Sequence, residues 1–358
     1  LWIALIVYAS LHPFADWRWP ESPAVRWFVL PWPPYQDRFD IGSNLVGYLP
    51  LGALWCVGLL RDGRAFVRSA IQTIVICAAL SYALEVAQHV LPTRVPSRLD
   101  WLLNTVGGIA GSLLALIAQR LGWVDAWRTR RDRWLLPHSG NGQALLLLWP
   151  VALLFPPAVP FGLGQVADRL AEALQSAAAD TPFATWMPTP TLWSEPLSAG
   201  TEVLTLALGL LAPVVMINVI CTRPAPRLTL VLCWLLLGGA ATTLSTALNF
   251  GPAHALAWWS APVGPGYVLA ALVGVALAGL PHRLVAGLGL LLLASLCALI
   301  NRAPTDPYFA LSLGNWEQGR FIRFHGLAQW IGWLWPYAAI VWLLVQIAAR
   351  PSAHAPKT

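Results

Sequence analysis

Glu85 and Gln88 stand three residues apart in a strongly apolar run, with His89 beside them. Arg94, Arg98, Asp100 and Asn104 follow, and Asn44, Tyr48 and Pro50 lie upstream. These residue types carry recognisable chemistry. A carboxylate shielded from water holds its proton toward neutral pH and becomes a candidate general base. A guanidinium offers a planar fork to phosphate or carboxylate. Inside a membrane such groups are tolerated only where they face protein or water and find partners. They therefore mark either a site or a polar clamp between helices.

Helical geometry decides which of them can meet. Glu85 and Gln88 share a face, with Ser81 and Tyr82 one turn inward. Asp100 and Asn104 are four apart, and Gly107, Gly108 and Gly111 continue that stripe. Such small residues let a neighbouring backbone come close. Pro50 cannot donate a backbone hydrogen bond, so the carbonyl of Val46 is left over. A helix opened in this way is stable only where protein or a cavity surrounds it. Glu85 sits about six residues, or ~9 Å of helix, from the turn at Leu91–Pro92. That depth is one leaflet. The expected site is a small outward-facing cleft. Asn44, Tyr48, Glu85, Gln88, Asp100 and Asn104 line it, and Arg94 and Arg98 stand at its rim.

Composition sets the class of protein that must position these groups. Hydrophobic residues make up 57% of the chain and charged residues 11%, whereas soluble proteins carry about 25% charged residues. Apolar runs long enough to cross ~30 Å of hydrocarbon recur throughout. They are apolar on every side, unlike the alternating strands of a barrel. The fold expected is all-α, a polytopic transmembrane bundle of about ten helices. Its spans are Leu1–Pro13, Ile41–Leu60, Arg68–Leu91, Trp101–Leu121, Ala144–Phe161, Thr201–Ile220, Leu228–Leu248, Gly264–Leu280, Leu284–Ile300 and Gly326–Ala348. Position 1 is not Met, so the first span is read as shortened. The five cysteines lie in apolar runs without paired spacing and read as small buried residues.

Thirteen of the 22 Lys and Arg fall in one set of loops: the 61–68 turn, 120–133, 223–227, Arg283 and the C-terminal tail. The positive-inside rule makes that side cytoplasmic, together with both termini. The net charge of +6 is then a topology signal with anionic lipid as its partner, and nothing in it requires nucleic acid. The organisation expected is a four-helix membrane domain over 1–121, a basic cytoplasmic loop over 122–143, about six further helices over 144–349 and a tail over 350–358. The Trp-rich stretch Ala15–Asp40, the amphipathic stretch around Val166, Leu170 and Leu174, and Asn301–His325 become outer loops, with tryptophans as headgroup-level anchors. In the last of these, Glu317, Arg320, Arg323 and His325 form a secondary candidate site, with loop salt bridging as the plainer account.

The spacing Asn44-x-x-x-Tyr48-x-Pro50-x-Gly52, then Glu85-x-x-Gln88, Arg94, Arg98 and Asp100-x-x-x-Asn104-x-x-Gly107-x-x-x-Gly111 resembles the VanZ-like family of membrane proteins. The resemblance implies a multi-pass plasma-membrane protein of the bacterial envelope. The family's founding member is associated with resistance to teicoplanin, a glycopeptide carrying an acyl chain. About six helices after Arg133 extend beyond that small founding form.

Three functions stay open on the residues alone. The cleft could bind the polar head of an envelope lipid or lipid-linked glycan. The Pro- and Gly-interrupted spans could serve transport or lipid flipping. Glu85 or Asp100 could act as base in an enzyme working on a lipid phosphate. No cofactor is implied. Glu85-x-x-x-His89 supplies too few ligands for zinc, so no metal is expected.

Overall fold

The computed structural model describes residues 2–12, 14, 16–19, 27–33, 38–137, 139–187, 197–222, 224–304 and 322–348. Among them are twelve α-helices and no strand. Seven helices are long and apolar enough to cross a membrane: Asp40–Arg61, Phe66–Gln88, Arg98–Arg120, Ala199–Ile220, Pro224–Phe250, His282–Ile300 and Gly326–Ala348. Trp2–Leu11 and Val263–Ala278 are shorter apolar helices. The chain divides into two compact units, Leu1–Arg131 and Asp132–Thr358.

The first unit holds α1 (Trp2–Leu11), α2 (Arg38–Arg61), α3 (Phe66–Gln88) and α4 (Arg98–Arg120). Its tightest pairing is α2 against α4, and glycine makes that pairing possible. A Cβ on Gly107 would meet the carbonyl of Leu45, and one on Gly111 would meet the carbonyl of Leu49 and lie 2.7 Å from the nitrogen of Ala53. From the α2 side, a Cβ on Gly52 would meet the carbonyl of Gly108. Both residue series rise together, so α2 and α4 run parallel in backbone contact, with α3 beside them. Pro50 lies within α2, which continues through it.

The Arg-rich segment expected as a loop is helical: α5, Trp123–Trp134, with no buried residue. Unit 2 continues with α6 (Gly140–Ala152), α7 (Ala167–Ala178), α8 (Ala199–Ile220), α9 (Pro224–Phe250), α10 (Val263–Ala278), α11 (His282–Ile300) and α12 (Ile322–Ala348). Helix α8 is its axis, with 83% of its most apolar window buried against its neighbours. The amphipathic stretch forms α7.

One expected span is corrected. Ala144–Phe161 is not a single crossing helix, because α6 stops at Ala152. Pro156, Pro157 and Pro160 lack N–H groups and push each preceding residue out of the helical region. Residues 153–165 instead form a loop that is buried or half-buried along its whole length.

A buried loop must find partners for its polar backbone, and side chains from three helices supply them. Ser245 Oγ and Asn249 Nδ2 donate to the carbonyl of Leu154 at 2.9 and 3.2 Å. Asn301 Nδ2 and Tyr337 Oη donate to the carbonyl of Gly164, both at 3.0 Å. Asn301 Oδ1 accepts the N–H groups of Val166 and Ala167 at 2.9 and 2.8 Å, so a residue just beyond α11 caps α7. Pro336 leaves the carbonyl of Gly332 without its helical donor, and the N–H of Gly164 takes the vacancy at 2.9 Å. Gly164 has φ +100 there and packs on the proline ring, a place no side chain fits without strain.

Candidate functional site

The expected site residues divide by the contacts they make. Tyr48, Ser81, Glu85, Gln88, Ser97 and Asn104 are all buried within unit 1. Glu85 Oε2 accepts the backbone N–H of Ser97 at 2.8 Å. Ser97 is the N-cap of α4, and its Oγ accepts the N–H of Asp100 at 3.2 Å. The carboxylate and the cap hydroxyl thus satisfy two of the backbone donors where α4 begins. Asn104 Nδ2 donates to Ser81 Oγ at 3.0 Å.

Arg94 and Gln88 face a different task. Arg94 Nε donates to the carbonyl of His12 at 2.8 Å and Nη2 to that of Ala9 at 3.0 Å. Gln88 Nε2 donates to the carbonyl of Ser10 at 3.1 Å. Helix α1 ends in carbonyls with no helical donor. A guanidinium is well suited to them, because it is cationic and carries several donors. Arg94 therefore reaches inward to α1, where the sequence reading had set it at a rim. His89 Nδ1 lies 3.2 Å from the carbonyl of Val86 in its own helix, apart from the Glu85 contact.

Arg98 opens α4 with an exposed side chain, and its backbone N–H donates to the carbonyl of Pro31 at 2.9 Å. Asp100 and Asn44 are half-buried. Around Arg98 the preceding loop is pinned to the helix ends. The N–H of Arg18 donates to the carbonyl of Val90, and Tyr82 Oη to that of Phe28 at 2.6 Å. Trp19 and Trp32, on the same loop, are exposed.

One enclosed atom of the cluster stands out: Asn104 Oδ1 has no hydrogen-bond partner among the described residues. The Tyr48 hydroxyl is within reach of Ser81, which also takes the Asn104 amide. Elsewhere in unit 1, Trp55 Nε1 and Ser69 Oγ are likewise unpartnered among the described residues. The secondary candidates divide similarly. Glu317 and Arg320 lie outside the described residues, and only the helical backbone of α12 is described for Arg323 and His325.

Sequence reasoning missed the polar residues of unit 2. Ser245 and Tyr337 lie inside the expected apolar spans Leu228–Leu248 and Gly326–Ala348, Asn249 lies just past the first of these, and Asn301 opens the expected outer loop. Arg227 was counted as a loop charge, yet it is buried. Its Nε and Nη2 donate to the carbonyl of Cys221 at 3.2 and 3.0 Å, and Nη1 to those of Ala278 and Leu280 at 2.8 and 3.0 Å. The available signal was the i, i+3, i+4, i+7 recurrence of Thr242, Ser245, Thr246 and Asn249 along one face of α9.

Seven spanning-length apolar helices, with polar side chains turned inward onto backbone, define a multi-pass helical membrane protein. Residues 2–119, the N-terminal third of the chain, match the family model described as VanZ/LLP1. No curated protein and no solved structure matches the chain.

Proposed function

We propose that residues 2–119 bind the anionic head of an envelope lipid, or the phosphate of a lipid-linked glycan, at the outer face of a bacterial plasma membrane. The observation that carries this reading is the enclosed, unpartnered Asn104 Oδ1, in one buried cluster with the Tyr48 hydroxyl and Ser81. A buried polar group without a partner costs about 1–3 kcal/mol, and such a group in a native protein calls for a functional explanation or a bound water or ion. Polar residues continue from this cluster toward the start of α4. Asn44 stands one turn from Tyr48, Asp100 one turn from Asn104, and Arg98 ends the line with an exposed guanidinium. Arg98 is the group that pairs with phosphate. Trp19 and Trp32 supply the interfacial surface on which a lipid head rests. Glu85, Gln88 and Arg94 hold the frame by fixing α1 and the start of α4. A role in the envelope, including tolerance of acylated glycopeptides of the teicoplanin type, fits the VanZ/LLP1 match.

The test uses the full chain in phosphatidylcholine nanodiscs, with retention of a polyprenyl phosphate measured by native mass spectrometry. Arg98→Ala and Tyr48→Phe should each weaken retention by about fivefold or more. Retention equal to that of the uncharged polyprenol, or unchanged in both variants, sinks the proposal.

A further inference from the structure

Unit 2 contains a cavity of about 180 Å³ between α8, α9, the buried 153–165 loop and the segment following α9. Its polar lining is Glu202, Thr242, Ser245, Thr246 and Ser260, and Trp258 closes one wall. We propose that this cavity binds a neutral polyhydroxylated group the size of one sugar ring, carried by a glycolipid head or free in solution.

The hydrogen-bond inventory of the lining selects that chemistry. Ser245 Oγ gives its proton to the carbonyl of Leu154, and Thr246 Oγ1 gives its proton to that of Thr242 at 2.8 Å. Both hydroxyls keep lone pairs toward a guest. Glu202 lines the same space and has a partner of its own. Thr242 is 6% exposed, and its Oγ1 has no partner among the described residues, so it can both donate and accept. The wall is thus rich in acceptors, with one hydroxyl free to do either, and a ligand with several hydroxyl donors matches it. A phosphate matches it less well, because it brings acceptors to a wall that already holds them.

The apolar side of the cavity suits a sugar as well. Trp258 Nε1 donates to Thr243 Oγ1 at 3.0 Å, which fixes the indole. The ring of Phe161 meets that indole edge-on, with centroids 5.6 Å apart. A fixed aromatic surface gives the C–H face of a sugar a place to pack at little entropic cost. Phe161 itself holds φ +66, an uncommon value for a bulky residue and one that clusters at binding sites. The loop between α6 and α7 therefore shapes a pocket as well as interrupting a span.

The experiment again uses the full chain in phosphatidylcholine nanodiscs, prepared without sugar-headed detergent, because a maltoside would compete. Retention of a monoglucosyl diacylglycerol is compared with that of diacylglycerol by native mass spectrometry, and methyl glucoside is tested as a competitor. The glucosyl lipid should be retained in preference to its parent. Thr242→Val and Glu202→Gln should each weaken that preference about fivefold or more, while Tyr48→Phe leaves it intact. Thr242→Val removes an unpaired hydroxyl, so its melting temperature should hold or rise. Competition by methyl glucoside identifies free sugar as a ligand, and failure to compete identifies the glycolipid head; either supports the site. Equal retention of the two lipids overturns it. So does a preference unchanged in both unit 2 variants, or a preference for an aminolipid over the glucosyl lipid.

Discussion

Glu85 on α3 accepts the backbone N–H of Ser97, the residue that caps α4, at 2.8 Å. This contact ties the last turns of one membrane helix to the start of the next and gives a buried polar side chain in an apolar run a backbone partner. Replacing Glu85 with Ala strands a buried donor and should cost about 1–3 kcal/mol. Gln can still accept, so Glu85→Gln should cost less. Thermal unfolding of both variants in the same detergent checks the order, and equal losses would show that the carboxylate does not work through this bond.

Arg94 ties α1 to the rest of unit 1. Arg94→Gln removes charged donors from the carbonyls of Ala9 and His12. Amide hydrogen exchange along Trp2–Leu11 should then quicken, while exchange in α2 and α4 stays near wild type. Uniform quickening throughout the unit would place Arg94 in its global stability instead.

Gly111 and Gly47 make a matched pair. A methyl group on Gly111 meets the backbone of Leu49 and Ala53, whereas one on Gly47 meets nothing within 4 Å. Gly111→Ala should destabilise by about 1–3 kcal/mol or more, since backbone cannot move aside as a side chain can. Gly47→Ala should be neutral or slightly stabilising, because alanine favours helix. Melting temperatures measured side by side decide the matter.

Asn301 holds both ends of the last turn of the buried loop. Asn301→Ala leaves the N–H groups of Val166 and Ala167 without their acceptor, and should cost upwards of about 2 kcal/mol. Limited proteolysis should then cut within residues 153–167, a stretch whose burial should protect it in the parent. An unchanged fragment pattern would mean that the loop is held elsewhere.

Arg227 should be intolerant of change for the same reason. Its guanidinium serves three carbonyls at the ends of α8 and α10. Arg227→Lys keeps the charge but loses the fork that reaches all three, so it should recover only part of the stability lost in Arg227→Ala. Full recovery by Lys would reduce the role to charge alone.

The amino-acid pattern by itself determined the all-helical membrane class, because uninterrupted apolar runs have few other stable forms in lipid. It also picked out the polar residues of α2, α3 and α4, whose spacing on a helix fixes which faces they share. The glycine stripe was readable too, since Gly107 and Gly111 have little other use in a span than close approach. Which neighbour each polar group would choose was not legible. Arg94 turned to the end of α1, eighty-two positions from His12, and no local rule selects a carbonyl at that distance. In unit 2 the prolines after Ala152 argued against a continuous helix, yet length and hydropathy favoured one. Only the tertiary structure decided for the loop, because its backbone is stable solely when Ser245, Asn249, Asn301, Tyr337 and the Pro336 gap converge on it.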